Sequence, residues 1–192
     1  MAIAWRGSAP VAGITSGSID GATIGASTPS SVAATTLSST GVTALKGSIT
    51  NDSAAAGNIG EFITSTVAAA SAVALTTATG RDVTSISLTA GDWDVSGQVD
   101  FVLAGVTATL FQSGISLATN TLPSQAGGSG LGTDALTGVP LLTTILSATY
   151  AQGIAPVRIS LAATTTVYLV AQAAFSVGTT TAYGTIRARR ER

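Results

Sequence analysis

Trp93-Asp94-Val95-Ser96-Gly97-Gln98-Val99-Asp100-Phe101 is the stretch that decides the fold. Apolar and polar residues alternate along it. Side chains in a β-strand point to opposite faces in turn, so Trp93, Val95, Val99 and Phe101 share one face and Asp94, Ser96, Gln98 and Asp100 the other. One face belongs to a core and one to water, as in an antiparallel sheet. Just upstream, Val83–Thr89 places Ile86 and Leu88 on one face, and Ala90-Gly91-Asp92 carries tight-turn chemistry. The two runs read together as a core hairpin built on Ile86, Leu88, Trp93, Val95 and Phe101.

Working outward, further strand-like runs occur at Glu61–Val67, Ala72–Thr77, Val106–Leu117, Leu141–Tyr150, Val157–Leu161 and Thr166–Phe175, and Tyr183–Ala188 closes the sheet. Between Leu117 and Pro140 lies a surface loop with Gly127, Gly128, Gly130 and Gly132. Its Gly-Gly-Ser-Gly-Leu-Gly run lacks the Lys-Ser/Thr and the following helix that a phosphate-binding loop requires. No stretch has convincing helical periodicity. So many short strands separated by turns predict an all-β chain, a β-sandwich of jelly-roll-like form over 58–192.

The first 57 residues differ. They are rich in Ser, Thr, Ala and Gly, with Trp5 as the single aromatic. Their larger apolar residues stand singly, so the segment lacks the bulk for a core of its own. Ordering a backbone costs ~1–2 kcal/mol per residue, which copies of the same segment or another protein must offset. The expectation is an extended shaft or anchor over 1–57.

Of 192 residues, 45% are hydrophobic and only 9% charged, against ~25% charged in typical globular chains. Ser, Thr, Gly and Ala must therefore cover the surface. No run approaches the ~18–20 apolar residues of a membrane helix, and the first residues lack a signal-peptide pattern. Cys and His are both absent. That removes disulfides, thiolate metal sites and the commonest general base. The Ser and Thr hydroxyls thus have no evident activating base, and no cofactor is expected. A net charge of −1 argues against nucleic acid as partner. Four of the eight basic residues sit in the tail Ile186–Arg192, which reads as a solvated end that guards a sheet edge.

Asp92, Asp94 and Asp100 are the nearest thing to an acidic cluster. The alternation makes them a solvated face with a turn aspartate; a calcium site or a glycosidase pair are the competing readings. Trp93 reads as core. Tyr150, Tyr168 and Tyr183 are candidate glycan contacts, with a buried ring as the alternative. Trp5 is a candidate anchor in a pocket of another protein, with packing against copies of its own chain as the alternative.

Two segments resemble known proteins. Ile19-Asp20-Gly21-Ala22-Thr23-Ile24-Gly25, followed by Thr28-Pro29 and Thr35-Thr36-Leu37, resembles a short repeat of phage tail-fibre and other virion fibre proteins. Ala34 stands where that repeat has an aromatic. Val83–Gly97, with its Leu-x-x-Gly-x-Trp-x-Val-x-Gly pattern, is similar to a jelly-roll-like domain of phage structural proteins, of the general form of trimeric head-fibre tips. The resemblance implies a non-enzymatic virion protein: a homotrimeric fibre or spike, assembled in the host cytoplasm, bound to capsid, collar or tail proteins and contacting a host-surface glycan. It implies an oligomer or attachment interface at Trp5, Ile19, Asp20, Ile24, Pro29 and Leu37. A capsid decoration or tail-associated protein without receptor binding, and a polysaccharide-degrading fibre, are the alternatives.

Overall fold

A computed structural model describes residues 52–123, 135–140 and 147–192. The chain separates into two units, Met1–Gly47 and Ser48–Arg192, and the described residues belong to the second. Trp5, Ile19, Asp20, Ile24, Pro29 and Leu37 lie outside the described residues.

Among the described residues nine strands appear in order: β1 (Phe62–Val67), β2 (Val73–Ala74), β3 (Arg81–Leu88), β4 (Gly91–Ala104), β5 (Thr107–Ser116), β6 (Leu136–Pro140), β7 (Ser147–Leu161), β8 (Thr165–Ser176) and β9 (Thr179–Arg190). A single 3-10 turn at Ala69–Ser71 separates β1 from β2, and both pair with β9. They act as one interrupted edge strand.

All pairings are antiparallel and they are nested. β1 and β2 pair with β9, β3 with β8, β4 with β7 and β5 with β6. This is one long ribbon folded at β5–β6. Two further pairings, β4 with β9 and β5 with β8, roll the ribbon up. The result is two sheets, β1-β9-β4-β7 and β3-β8-β5-β6. A nested antiparallel ribbon wrapped into two packed sheets is a jelly roll.

The core lies between the sheets. Trp93, Val95, Val99 and Phe101 are fully buried from β4, and Thr180, Ala182, Ile186 and Ala188 from β9. The facing sheet contributes Leu88, Phe111, Ile115, Val167, Leu169, Ala171 and Ala173. Within each sheet a ring neighbours an alanine, Phe101 beside Ala182 and Phe111 beside Ala173, which leaves room for the rings between the layers. Phe101 and Phe111 meet across the layers with centroids 4.8 Å apart, and Tyr150 stacks on Phe111 at 5.3 Å. Such pairs contribute ~0.5–1.5 kcal/mol beyond their buried area. The core also holds a polar bridge. The Ser113 hydroxyl donates to Gln152 Oε1 at 2.9 Å, and Gln152 Nε2 donates to the Phe111 carbonyl at 3.2 Å.

Four sequence-based expectations need correction. The Ile86–Phe101 segment is not a hairpin. β3 and β4 belong to different sheets, and Thr89-Ala90 turns a corner between them. Ile86, Leu88, Trp93, Val95 and Phe101 do all lie in the core. The loop expected up to Pro140 contains β6, paired with Leu110–Gly114 of β5. Leu141–Tyr150 and Val157–Leu161 are not separate strands where they are described; Ser147–Leu161 is one strand, with a bulge opposite Val95–Gly97. Finally, Ile186–Arg190 is no solvated tail but the end of β9, an interior strand between β1 and β4.

Candidate functional site

Both ends of the described domain converge at one pole. The Phe62↔Arg189 and Trp93↔Arg190 registers place the start of β1, the start of β4 and the end of β9 side by side. Alternation along β9 turns Arg187 and Arg189 outward and Arg190 inward. A guanidinium turned inward needs partners, because an unpaired buried charge is costly.

Arg190 finds them on three segments. Its Nε donates to Glu61 Oε2 at 2.9 Å and its Nη1 to the Ala90 carbonyl at 2.9 Å. Its Nη2 donates to the Thr89 hydroxyl. The guanidinium carbon lies 4.2 Å above the Trp93 ring, a cation–π contact. The Trp93 indole N–H donates to the Thr89 carbonyl at 2.9 Å. Glu61 Oε2 also accepts the Gly57 amide at 2.8 Å. That amide, and then Arg190, hold the Glu61 carboxyl below the usual carboxylate range. Gly91, at φ 135°, leaves room for the guanidinium, which a Cβ there would overlap. The incoming chain, the β3–β4 corner and the last strand are thus joined through one side chain.

A second charged group adjoins it. Asp92 is buried and its Oδ2 accepts Arg158 Nη2 at 2.9 Å and Arg192 Nε. The Ser160 hydroxyl, then the Arg158 guanidinium, bring the Asp92 carboxyl down to about 2. The expectation of a solvated turn aspartate fails here. Its partners stand 66 and 100 residues away in sequence. Asp94 and Asp100 do lie on the outer side of β4, alternating with buried Val95, Val99 and Phe101. Six residues of strand separate them, about 20 Å, too far for the paired carboxylates of glycoside hydrolysis. Among the described residues no group of acidic side chains could hold a metal ion.

The three tyrosines do not converge. Tyr150 is partly buried and stacks one ring face on Phe111. Tyr168 alternates with buried Val167 and Leu169 on β8, which puts it on the outer side of one sheet, between Ser85 and Ser116. Tyr183, opposite Asp100, lies on the outer side of the other sheet. Tyr168 and Tyr183 thus lie on opposite faces of the sandwich, and the three do not form one platform.

Two concavities lie on this surface. One, of about 450 Å³, is lined by Asp52, Ser53, Gly60, half-exposed Phe62 and Arg189, where the chain reaches β1. The other, of about 300 Å³, lies between β2 and β3 and is lined by Ala74, Thr76, Thr79, Gly80, Arg81 and Asn120. Sequence reasoning passed over Arg81, because an isolated arginine beside a turn carries no pattern.

No helix among the described residues is long and apolar enough to cross a membrane. No family model and no curated protein matches the sequence. Among solved structures, similarity is found to a structure of the Gx strain of infectious bursal disease virus, at 12% identity and a TM-score of 0.42, over 78% of this chain and 38% of that one. A mutant VP2 protein of infectious bursal disease virus, from derived T=1 particles, is similar at 12% identity and a TM-score of 0.33, over 68% of this chain and 29% of that one. The chain thus spans little more than a third of the longer match, and at these scores the likeness carries no argument about function.

Proposed function

We propose that the chain is a bacteriophage virion structural protein, a homotrimeric fibre or spike without enzymatic activity. Residues 1–57 serve as shaft or anchor on a capsid, collar or tail protein, and 58–192 form the exposed head. The observation that supports this reading is the place of the Val83–Gly97 segment. The residues that resemble phage structural proteins form the corner of a jelly roll, and jelly rolls recur in viral capsid and lectin domains. Fold alone does not assign function. The fibre-like residues Ile19–Leu37 supply the second part of the argument, as does the knot that ties the incoming chain to the head.

The test is the solution mass of the full-length protein by light scattering, with and without Ile24→Asp. A trimer that dissociates on the substitution supports a shaft that meets its own copies. A monomer in both cases overturns the self-assembling fibre and leaves a decoration protein ordered by its neighbours. Binding of the full-length protein to host cells then separates a receptor-binding head from a purely structural one.

A further inference from the structure

The crevice between β2 and β3 has the properties of a binding site. Hydrogen bonds hold its rim at two places. Thr77 exchanges hydrogen bonds with Phe175, Oγ1 donating to the carbonyl at 2.8 Å and accepting the amide at 2.9 Å. The Ala78 amide donates to the Ala173 carbonyl at 2.8 Å. Across the opening, Asp82 and Asn120 clasp each other. The Asp82 amide donates to Asn120 Oδ1 at 2.9 Å, and the Asn120 amide donates to Asp82 Oδ1 at 2.6 Å. Gly80 packs its backbone against the Asn120 carbonyl, where a Cβ would collide.

Two of the three described non-glycine residues with positive φ, Ala78 at 56° and Asn120 at 51°, stand at this rim. That conformation costs an alanine ~1–3 kcal/mol and persists where surrounding bonds over-determine it. The rim is therefore rigid before any ligand arrives, which lowers the ordering cost of binding.

The lining has one charge. Arg81 is exposed and makes no hydrogen bond or ion pair among the described residues. The adjacent carboxylate of Asp82 is taken up by Asn120 and by the Thr119 hydroxyl at 2.5 Å. The residues that line the crevice with Arg81 are short, Ala74, Thr76, Thr79, Gly80 and Asn120. The Thr79 hydroxyl donates to the Thr77 carbonyl at 3.3 Å and keeps its acceptor sites, and Asn120, whose Oδ1 takes the Asp82 amide, keeps its carboxamide N–H donors. A guanidinium matches a carboxylate with two parallel hydrogen bonds. Threonine and asparagine side chains complement a hydroxylated body. A volume of about 300 Å³ lies at the small end of ligand sites.

We infer that this crevice binds an acidic sugar residue, a single carboxylate carried on a polyhydroxyl ring, with Arg81 pairing the carboxylate and Thr76, Thr79 and Asn120 contacting ring hydroxyls. The inference stands on the crevice and does not require the fibre reading; if both hold, it names the chemical class of host glycan.

The experiment is a ligand-observed NMR titration of the full-length protein with glucuronate, glucose and inorganic phosphate. Glucuronate binds with a Kd on the order of 1 mM, and glucose and phosphate do not compete with it. Arg81→Gln weakens glucuronate binding at least about tenfold, the loss of a charge-assisted pair, and Arg81→Lys recovers part of it. Arg187→Gln, which removes an exposed cation from the outer face of β9, leaves binding unchanged. An unchanged thermal midpoint for Arg81→Gln shows that the fold is intact. Glucuronate binding that is absent, or indifferent to Arg81→Gln, overturns the site. Equal binding of phosphate overturns the sugar assignment.

Discussion

The two poles of the domain are held by opposite means. At the pole where the chain arrives and leaves, Arg190, Glu61, Asp92, Arg158 and Arg192 form ion pairs around Trp93. At the other pole, Ala104-Gly105 and Val177-Gly178 turn corners between the sheets, and among the described residues no ion pair is found there. The sequence carries no Asp, Glu, Lys or Arg from Phe101 to Pro123 or from Ile159 to Ile186. There, the corners meet backbone to backbone: a Cβ on Gly178 would overlap the carbonyl oxygens of Ala104 and Gly105. One pole is fastened by long side chains that span separate segments, the other by the absence of side chains. Composition alone, at 9% charged residues, does not show that the ion pairs of the described residues are gathered at one end.

The largest effect is expected at the charged pole. Arg190→Ala leaves Glu61 without its guanidinium and strips one face of Trp93. Truncating one partner of a buried pair costs ~3–5 kcal/mol, and the position at the end of the sandwich places the expected loss at roughly 2–4 kcal/mol. Urea unfolding should show a lower midpoint at unchanged slope. Adding Glu61→Leu should recover part of the loss, because the unpaired carboxylate goes too. Fully additive losses would mean that Arg190 acts through Trp93 and the corner carbonyls rather than through Glu61.

At the uncharged pole, Gly178→Ala tests close backbone contact. Gly178 sits at φ 73°, and the added Cβ meets the neighbouring corner as well. Strain and overpacking together are expected to cost roughly 2–3 kcal/mol. A neutral outcome would show that the two corners separate easily, and the comparison of poles would then reduce to charge alone.

How far this contrast was readable in advance differs by element. Alternation from Trp93 to Phe101 exposes the buried face of β4 residue by residue, because a strand's period of two is a local property. The partner of a strand is not local. β3 and β4 are adjacent in sequence and separate in space, and the same apolar pattern fits a hairpin or a corner. β6 stayed hidden because Gly138 and Pro140 read as loop residues, and β7 looked broken between Tyr150 and Val157, a stretch that contains the bulge at Ala155-Pro156. Asp92 carried turn chemistry in sequence and became buried because Arg158 and Arg192 reach it from distant segments. The 300 Å³ crevice was invisible for the same reason, since Asn120 joins it from 39 residues beyond Arg81.

Acid should act on the charged pole. Glu61 and Asp92 both titrate lower in the folded chain than their ordinary values of 4.5 and 3.8. Between the folded and ordinary values the unfolded chain binds more protons, so stability rises with pH across that interval. The contribution is complete above the ordinary values and is lost as pH falls through the folded ones, about 2 for Asp92. Urea midpoints measured from pH 5 down to 2 should therefore decline, and Asp92→Asn should flatten the decline. An equal slope in that variant would assign the acid sensitivity to Glu61.

The smallest effect has the opposite sign. Val177 is 83% exposed and stands at φ 59°, a region that a β-branched residue adopts only under constraint. Asparagine tolerates that conformation far better, and an exposed valine gives up little buried area when replaced. Val177→Asn should stabilise the domain by about 0.5–1 kcal/mol, seen as a raised urea midpoint. Val177→Ala should not match it, since alanine keeps the Cβ penalty. If Val177→Asn instead destabilises, the exposed valine must be covered in solution, and the uncharged pole would be a contact surface in the assembled protein rather than a free tip.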